Sequence, residues 1–203
     1  MTDQNNTRNT SPLKILVADD ELMIATFLAS NLEDLGYEVV GPANNGESVI
    51  KLCHEQSPDL ALLDIQMPKV DGIEAACRIF KEQNIPTVIL SAYADPEYVE
   101  AGNKIGIFGY LLKPVTKDQL RVGLEVAWAR FIDWSDKRDK VEELQERLEQ
   151  RKLIEQAKWI VVKRKQVDEP EAMRMLQKQA RNNRKPLITV AQAIVDSEDI
   201  LGD

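Results

Sequence analysis

The sequence predicts an α/β domain built on a five-stranded parallel sheet, followed by an all-helical region. Three observations point there. Short apolar runs alternate with helix-period segments through the first half of the chain, turn residues separate the units, and no strand-like run follows about Lys117.

The strand candidates are, in order, Leu13–Ala18, Tyr37–Val40, Leu60–Leu63, Thr87–Leu90 and Ile107–Leu112. They read as nearly continuous apolar runs, the pattern of strands buried on both faces by crossover helices. Between them lie helical patterns such as Leu22–Leu35 and Ile73–Phe80, and turn signals at Gly36, Gly41-Pro42, Ser57-Pro58, Asp71-Gly72 and Asn84–Pro86. Beyond Lys117, Leu120, Leu124, Ala127, Phe131 and Trp134 fall on a 4-3-4-3 rhythm, with Val141 and Leu148 continuing it at sevens. Arg138 and Gln145 interrupt the seam and Leu144 is off by one, which reads as a coiled coil of imperfect register. The competing reading is a long helix packed on its own domain. Asp168-Glu169-Pro170-Glu171 then supplies a helix start, with an N-cap, a first-turn proline and Glu at the third position. It launches Ala172–Asn182; Pro186 breaks the chain before Leu187–Val195, and the last residues, SEDILGD, are expected to fray.

The expected organisation is a disordered tail at 1–12, an α/β domain at 13–117, a coiled-coil linker helix at 118–147 and a three-helix bundle at 148–203. The 203 residues are 43% apolar and 30% charged, enough for a core and with no run near the roughly 20 apolar residues a membrane span needs. The polar start, MTDQNNTRNTSP, lacks the apolar segment of a secretory signal. A cytoplasmic protein is therefore expected. Cys53 and Cys77 sit inside amphipathic patterns and read as buried free thiols; with His54 the single histidine, a Cys/His metal site is not expected. The net charge of −8 is unevenly spread: Arg151–Lys185 carries +7 and the rest −15. An acidic body with a basic end suggests a polyanion-binding output segment.

Four strand candidates end in residues suited to phosphate chemistry: Asp19 and Asp20, Asp64, Ser91, and Lys113. In a flavodoxin-like sheet of order 2-1-3-4-5, these positions converge outside the carboxyl edge. Three crowded carboxylates repel one another unless a hard divalent cation such as Mg2+ lies between them. A carboxylate can attack phosphorus to give an acyl phosphate, Lys113 supplies a compensating cation, and Ser91 offers a hydroxyl to a phosphoryl oxygen. His54, on a surface helix away from the acids, is not expected to carry phosphate.

Asp19-Asp20-Glu21, DIQMPKVDG at Asp64–Gly72, Ser91-Ala92 and Tyr110-Leu-Leu-Lys113-Pro114 together resemble the receiver domain of two-component response regulators, over about residues 13–117. The resemblance implies that Asp64 is the phosphoacceptor, charged by the phosphohistidine of a partner histidine kinase. It implies Mg2+ ligation by Asp19, Asp20, Asp64 and the backbone carbonyl of Gln66. It also makes Ser91 and Tyr110 the switch pair, Lys113 the phosphate partner and Lys113–Pro114 a cis bond. Such a protein turns over no small-molecule substrate. Ile107 departs from the alanine common in relatives.

A second resemblance, to the ANTAR domain of transcription antitermination regulators, runs from Leu148 to Val195. Leu148, Arg151, Ile154, Ala157-Lys158, Glu171-Ala172, Leu176, Ala180, Asn183, Val190-Ala191 and Ile194-Val195 carry it. It implies binding of paired RNA hairpins, as a homodimer when phosphorylated. Trp159 stands where the family often has glycine, and Arg181 where methionine is common. The candidate RNA-binding residues are Lys158, Lys163, Arg164, Lys165, Arg174, Lys178, Arg181, Asn183, Arg184 and Lys185. Trp159 either stacks on a loop base or joins the core beside Ile154, Ile160 and Val161, the commoner outcome for an aromatic in such company. Phosphorylation is expected to reshape the face made by strand 5 and the helix before it. Two other outputs stay open: a DNA-binding helix-turn-helix, against which the lack of a clear recognition helix counts, and a scaffold that binds protein through the coiled coil.

Overall fold

The structure, a computed structural model, describes residues 12–92 and 106–199. The expected tail therefore lies almost wholly outside the described residues, as does the helix expected before strand 5. Five strands, β1 (Lys14–Ala18), β2 (Glu38–Ala43), β3 (Leu60–Asp64), β4 (Thr87–Ser91) and β5 (Ile107–Leu112), form one parallel sheet in the order β2-β1-β3-β4-β5. Helices α1 (Leu22–Asp34), α2 (Gly46–Gln56) and α3 (Gly72–Gln83) connect the first four strands. Three more follow: α4 (Lys117–Lys165), α5 (Glu169–Asn183) and α6 (Leu187–Asp199). The flavodoxin-like expectation holds.

Alternation along the strands explains the two layers. Leu16, Ala18, Ala61, Leu63 and Ile89 face Val49, Cys53, Ala75, Ala76 and Ile79 of α2 and α3. Their neighbours Ile15, Val17, Leu60, Leu62, Val88 and Leu90 face Leu28 and Leu32 of α1 and Leu120, Leu124 and Ala127 of α4. Both faces are covered, as the unbroken apolar runs require.

Two expectations are corrected here. Gly41-Pro42, taken as a turn, lies inside β2; the β1–β2 register shifts between Leu16 and Ala18, and the proline sits on an edge strand, where its missing N–H is tolerated. The first part of the heptad rhythm is intramolecular: Leu120, Leu124 and Ala127 are buried in the sheet domain, and Phe131 and Trp134 pack onto it beside Phe108 and Phe80. Val141, Leu144 and Leu148 are each about half exposed.

The chain divides into two compact units within α4, 1–134 and 135–203. In the second, Leu153, Ile154, Ala157 and Val161 of α4 pack with Met173, Leu176 and Ala180 of α5 and with Leu187, Val190 and Ala191 of α6. The buried alanines Ala157, Ala180 and Ala191 let the three helices approach closely. Asp168 caps α5 by accepting from Glu171 N at 2.8 Å. Of the stretch expected to fray, 197–199 continue α6, with Ser197 donating to the Ile194 carbonyl at 2.7 Å and Glu198 pairing with Arg164, while 200–203 lie outside the described residues. Among the described residues, no helix is long and apolar enough to cross a membrane.

Candidate functional site

The carboxyl ends of β1 and β3, neighbours in the sheet, place three acids together. Asp19 is fully buried, Asp64 nearly so, and Asp20 exposed. One carboxylate oxygen from each lies within 4.8 Å of the others. Lys113 enters from the end of β5, where its backbone N–H donates to the Ser91 carbonyl at 2.8 Å. Its ammonium donates to Asp19 Oδ2 at 2.7 Å and lies 3.0 Å from Asp64 Oδ1. Asp19 Oδ1 accepts from Glu21 N at 3.0 Å, which ties the acid to the start of α1. Ser91 ends β4 buried, and Tyr110 is half-buried on β5, packed against the α2/α3 side of the core. The Lys113–Pro114 bond is cis.

Charges so placed disturb one another. Burial pushes the Asp64 carboxyl above its ordinary value; Lys113 opposes this by hydrogen bond and charge, while Asp19 and Asp20 add to it. Burial pulls the Lys113 ammonium down, but the hydrogen bonds and charges of Asp19 and Asp64 outweigh it and hold the group above the usual lysine range. Three hard oxygen donors at one strand edge, one raised by burial and crowding, fit a small divalent cation such as Mg2+. The side chain of Gln66 is on the surface of the loop after β3.

Gly72 is a residue whose importance the sequence reading missed. A Cβ there would collide with the Asp64 carbonyl oxygen, so only glycine lets α3 begin against the backbone of Asp64. Gly72 N also donates to the Ile65 carbonyl at 2.9 Å, closing the loop that follows Asp64. The sequence signalled a turn at Asp71-Gly72 but not this approach. A second surprise is apolar exposure on α1: Leu22, Met23 and Phe27 are 68%, 84% and 59% exposed. Met23, Ile24, Phe27, Leu90, Pro114 and Val115 line a groove of about 450 Å3 that reaches Lys113.

A response regulator receiver domain matches residues 15–125, and an ANTAR domain matches residues 142–195. The chain is a response regulator of the receiver–ANTAR kind. The transcriptional regulatory protein PdtaR of Mycobacterium tuberculosis is 35% identical over 186 residues, spanning 92% of this response regulator and 91% of the relative. The probable transcriptional regulator ycf27 of Galdieria sulphuraria is 37% identical over 58% of this chain and 46% of its own. Among solved structures, the receiver domain of a modulated diguanylate cyclase from Desulfovibrio desulfuricans superposes with a TM-score of 0.54 at 33% identity. That match covers 60% of this chain and 97% of that one. The receiver domain of NarL from Mycobacterium tuberculosis gives 0.54 at 29% identity, over 58% of this chain and 97% of its own.

The candidate RNA-binding residues of this regulator do not share one environment. Lys158 is largely covered by its neighbours, 2.6 Å from Glu155 and 2.9 Å from Glu169, which hold its ammonium above its ordinary range. Arg164 pairs with Glu198, and Arg174 lies 2.8 Å from Glu171. Lys163, Lys165, Lys178, Arg181, Asn183, Arg184 and Lys185 are exposed. Trp159 is not core: it is 51% exposed and lines a groove with Glu155, Gln156, Val195 and Glu198. Carboxylates around it make that groove a poor seat for a polyanion.

Outside both regions, Cys53 is buried, its thiol pushed up to about 12 by burial, whereas Cys77 is exposed, contrary to expectation. His54 lies on the surface 3.1 Å from Glu82.

Proposed function

We propose that Asp64 takes a phosphoryl group from the phosphohistidine of a partner histidine kinase, and that this controls dimerisation and the binding of paired RNA hairpins in transcription antitermination. The observation that carries the first half is the contact of Lys113 with both Asp19 and Asp64 at the edge of β1 and β3. An Asp64 oxygen attacks phosphorus, an O–P bond forms, and the N–P bond breaks with its electron pair leaving on the imidazole. Lys113 is placed to exchange part of its carboxylate pairing for the new phosphoryl oxygens. Mg2+, held by Asp19, Asp20, Asp64 and the Gln66 carbonyl, would supply charge neutralisation to the transferring group. Ser91, at the end of the neighbouring strand, would donate its hydroxyl to a phosphoryl oxygen, with Tyr110 following inward as the switch. The apolar groove beside Lys113 suits a kinase helix that brings the donor histidine to the acid.

The ANTAR match and the acid-poor basic surface support an RNA output. The exposed Val141, Leu144 and Leu148 offer apolar surface for a second copy of the chain. The regulator acts in the cytoplasm and turns over no small-molecule substrate. Phosphorylation with a small-molecule phosphodonor and Mg2+, followed by capture from pools of random RNA hairpins and random duplex DNA, tests this reading. Selective capture of paired hairpins, strengthened by phosphorylation and lost in Asp64→Asn, is the expected result. Preference for duplex DNA would replace the RNA output with a DNA-binding one.

A further inference from the structure

The first N–H groups of a helix have no partner inside it, and two of those in α2 are satisfied in different ways. Asn45 accepts from Ser48 N at 3.0 Å with its side chain, while Gly46 N donates at 3.0 Å to the Val70 carbonyl, in the loop that follows Asp64. That second contact leaves no room for a side chain. A Cβ on Gly46 would lie 2.4 Å from the Val70 carbonyl oxygen and 2.7 Å from Val70 Cβ and Cγ1. The other end of the same turn meets β1: Asp19 N donates to the Ala43 carbonyl at 3.1 Å. Ala43 reaches that position because β2 carries an extra residue around Gly41-Pro42, so that Leu16 pairs with Val40 but Ala18 with Ala43.

Only Asn44 and Asn45 stand between these two bonds, so a short stretch of chain joins the backbone of Asp19 to the loop after Asp64. The loop has little freedom of its own. Met67 and Val70 are buried in the layer of α2 and α3. Ile65 N donates to the Leu90 carbonyl at 3.2 Å, and Val70 N to the Pro68 carbonyl at 2.9 Å. In a segment so closely packed, a displacement at Val70 carries to Gln66 rather than being absorbed between them. The neighbouring ion pair of Lys69 and Glu47, 2.8 Å apart, is exposed on both sides and adds little to the hold.

We propose that Gly46 is a positioning residue for the cation site: by admitting Val70 against the start of α2, it fixes the loop that carries Gln66 relative to Asp19 and Asp20. This rests on the reading of Asp19, Asp20, Asp64 and the Gln66 carbonyl as Mg2+ ligands, and adds the element that sets their spacing. Gly46 touches neither ion nor phosphate and acts through the loop. Mg2+ demands near-ideal octahedral geometry, so a small shift of one donor against the others weakens its binding.

The test uses the full-length protein and Mn2+ in place of Mg2+, with free Mn2+ followed by its electron paramagnetic resonance signal. The ion at the site is the one lost in Asp20→Asn, so wild type and this variant are compared first. No difference between them overturns the cation reading itself. With the ion established, Gly46→Ala is expected to raise its dissociation constant by about tenfold or more. The Mg2+ needed for half-maximal phosphorylation of Asp64 rises by a similar factor, and excess Mg2+ restores the rate. Glu47→Gln should change the constant by less than about threefold. Leu32→Ala opens a cavity in the opposite layer; it controls for lost stability and leaves the constant unchanged. Where Gly46→Ala does not fold, Val70→Ala loosens the same contact from the loop side and is expected to raise the constant by a smaller factor. An unshifted constant in folded Gly46→Ala, or in Val70→Ala where the first does not fold, overturns the proposal. So does an equal shift in Leu32→Ala, or a shift in Glu47→Gln as large as that in Gly46→Ala.

Discussion

The two units of this regulator handle charge in opposite ways. The receiver draws Asp19, Asp64 and Lys113 out of water into one buried cluster, where each group sets the behaviour of the others. The output unit leaves Arg181, Arg184 and Lys185 in solvent and uses its carboxylates to occupy cations elsewhere, such as Lys158. Chemistry at a point needs convergence and desolvation; recognition of a polyanion needs a field over an open surface. A single substitution should therefore be decisive in the receiver and incremental on the basic surface of the output unit.

The largest effect is expected at Asp64. Asp64→Asn keeps the shape and removes the proposed nucleophile, so phosphate incorporation that is labile to hydroxylamine and alkali, followed by intact-protein mass, should fall to background. Persisting incorporation would move the acceptor to another residue. Next comes Gly72→Ala. The added methyl would run into the Asp64 carbonyl, so the start of α3 must move. A loss of about 2–4 kcal/mol in urea unfolding of the receiver is expected, with slower phosphorylation. Unchanged stability of the Gly72→Ala variant would show that this approach is not tight.

In the output unit, Leu176 is buried among Ala157, Ala180, Val190 and Ala191. Leu176→Ala should cost about 2–4 kcal/mol and abolish RNA capture, while phosphate incorporation at Asp64 continues. If phosphorylation fails too, the two units do not fold separately as their cores suggest. Asp168→Ala removes only the cap bond to Glu171 N and should cost about 1 kcal/mol, seen as a small drop in helix melting temperature.

This contrast also explains what the sequence could reveal. Residues that must converge come from strand ends, and strand ends are marked by apolar runs, so Asp19, Asp64, Ser91 and Lys113 stood out. The Asp168 cap was legible because its signal is local. Long-range facts were not. The Leu120–Trp134 rhythm looks the same whether a helix meets its own sheet or a partner, and only burial shows that the sheet takes it. Trp159 has apolar neighbours in sequence, but its direction depends on how α6 lies across α4. Lys158 counted as a free cation until Glu169, on another helix, was seen to hold it. Gly72 left a turn signal, but its close approach to Asp64 depends on how the loop folds back.

The smallest expected effect concerns the charge on Asp64. The Asp64 carboxyl is raised in the folded state, above all by burial, with Asp19 and Asp20 adding and Lys113 opposing. A group whose folded pKa lies above its unfolded one binds more protons when folded as pH falls through that range, so its contribution to stability grows with falling pH. Without divalent cation, Asp64→Asn should therefore be the more stable protein at pH 7, with the gap closing as the pH falls into the carboxyl range. Lys113, raised in the folded state, stays charged throughout this window; the stability it lends is lost only when the pH climbs through its raised value. Millimolar Mg2+ should narrow the same gap at pH 7 by stabilising the ionised acid. Urea midpoints of both proteins between pH 5 and 8, with Mg2+ or with chelator, measure all three effects. A gap that ignores both pH and Mg2+ would mean that Lys113 alone satisfies Asp64, and the carboxyl cluster would then be an ion pair with a spectator rather than a cation site.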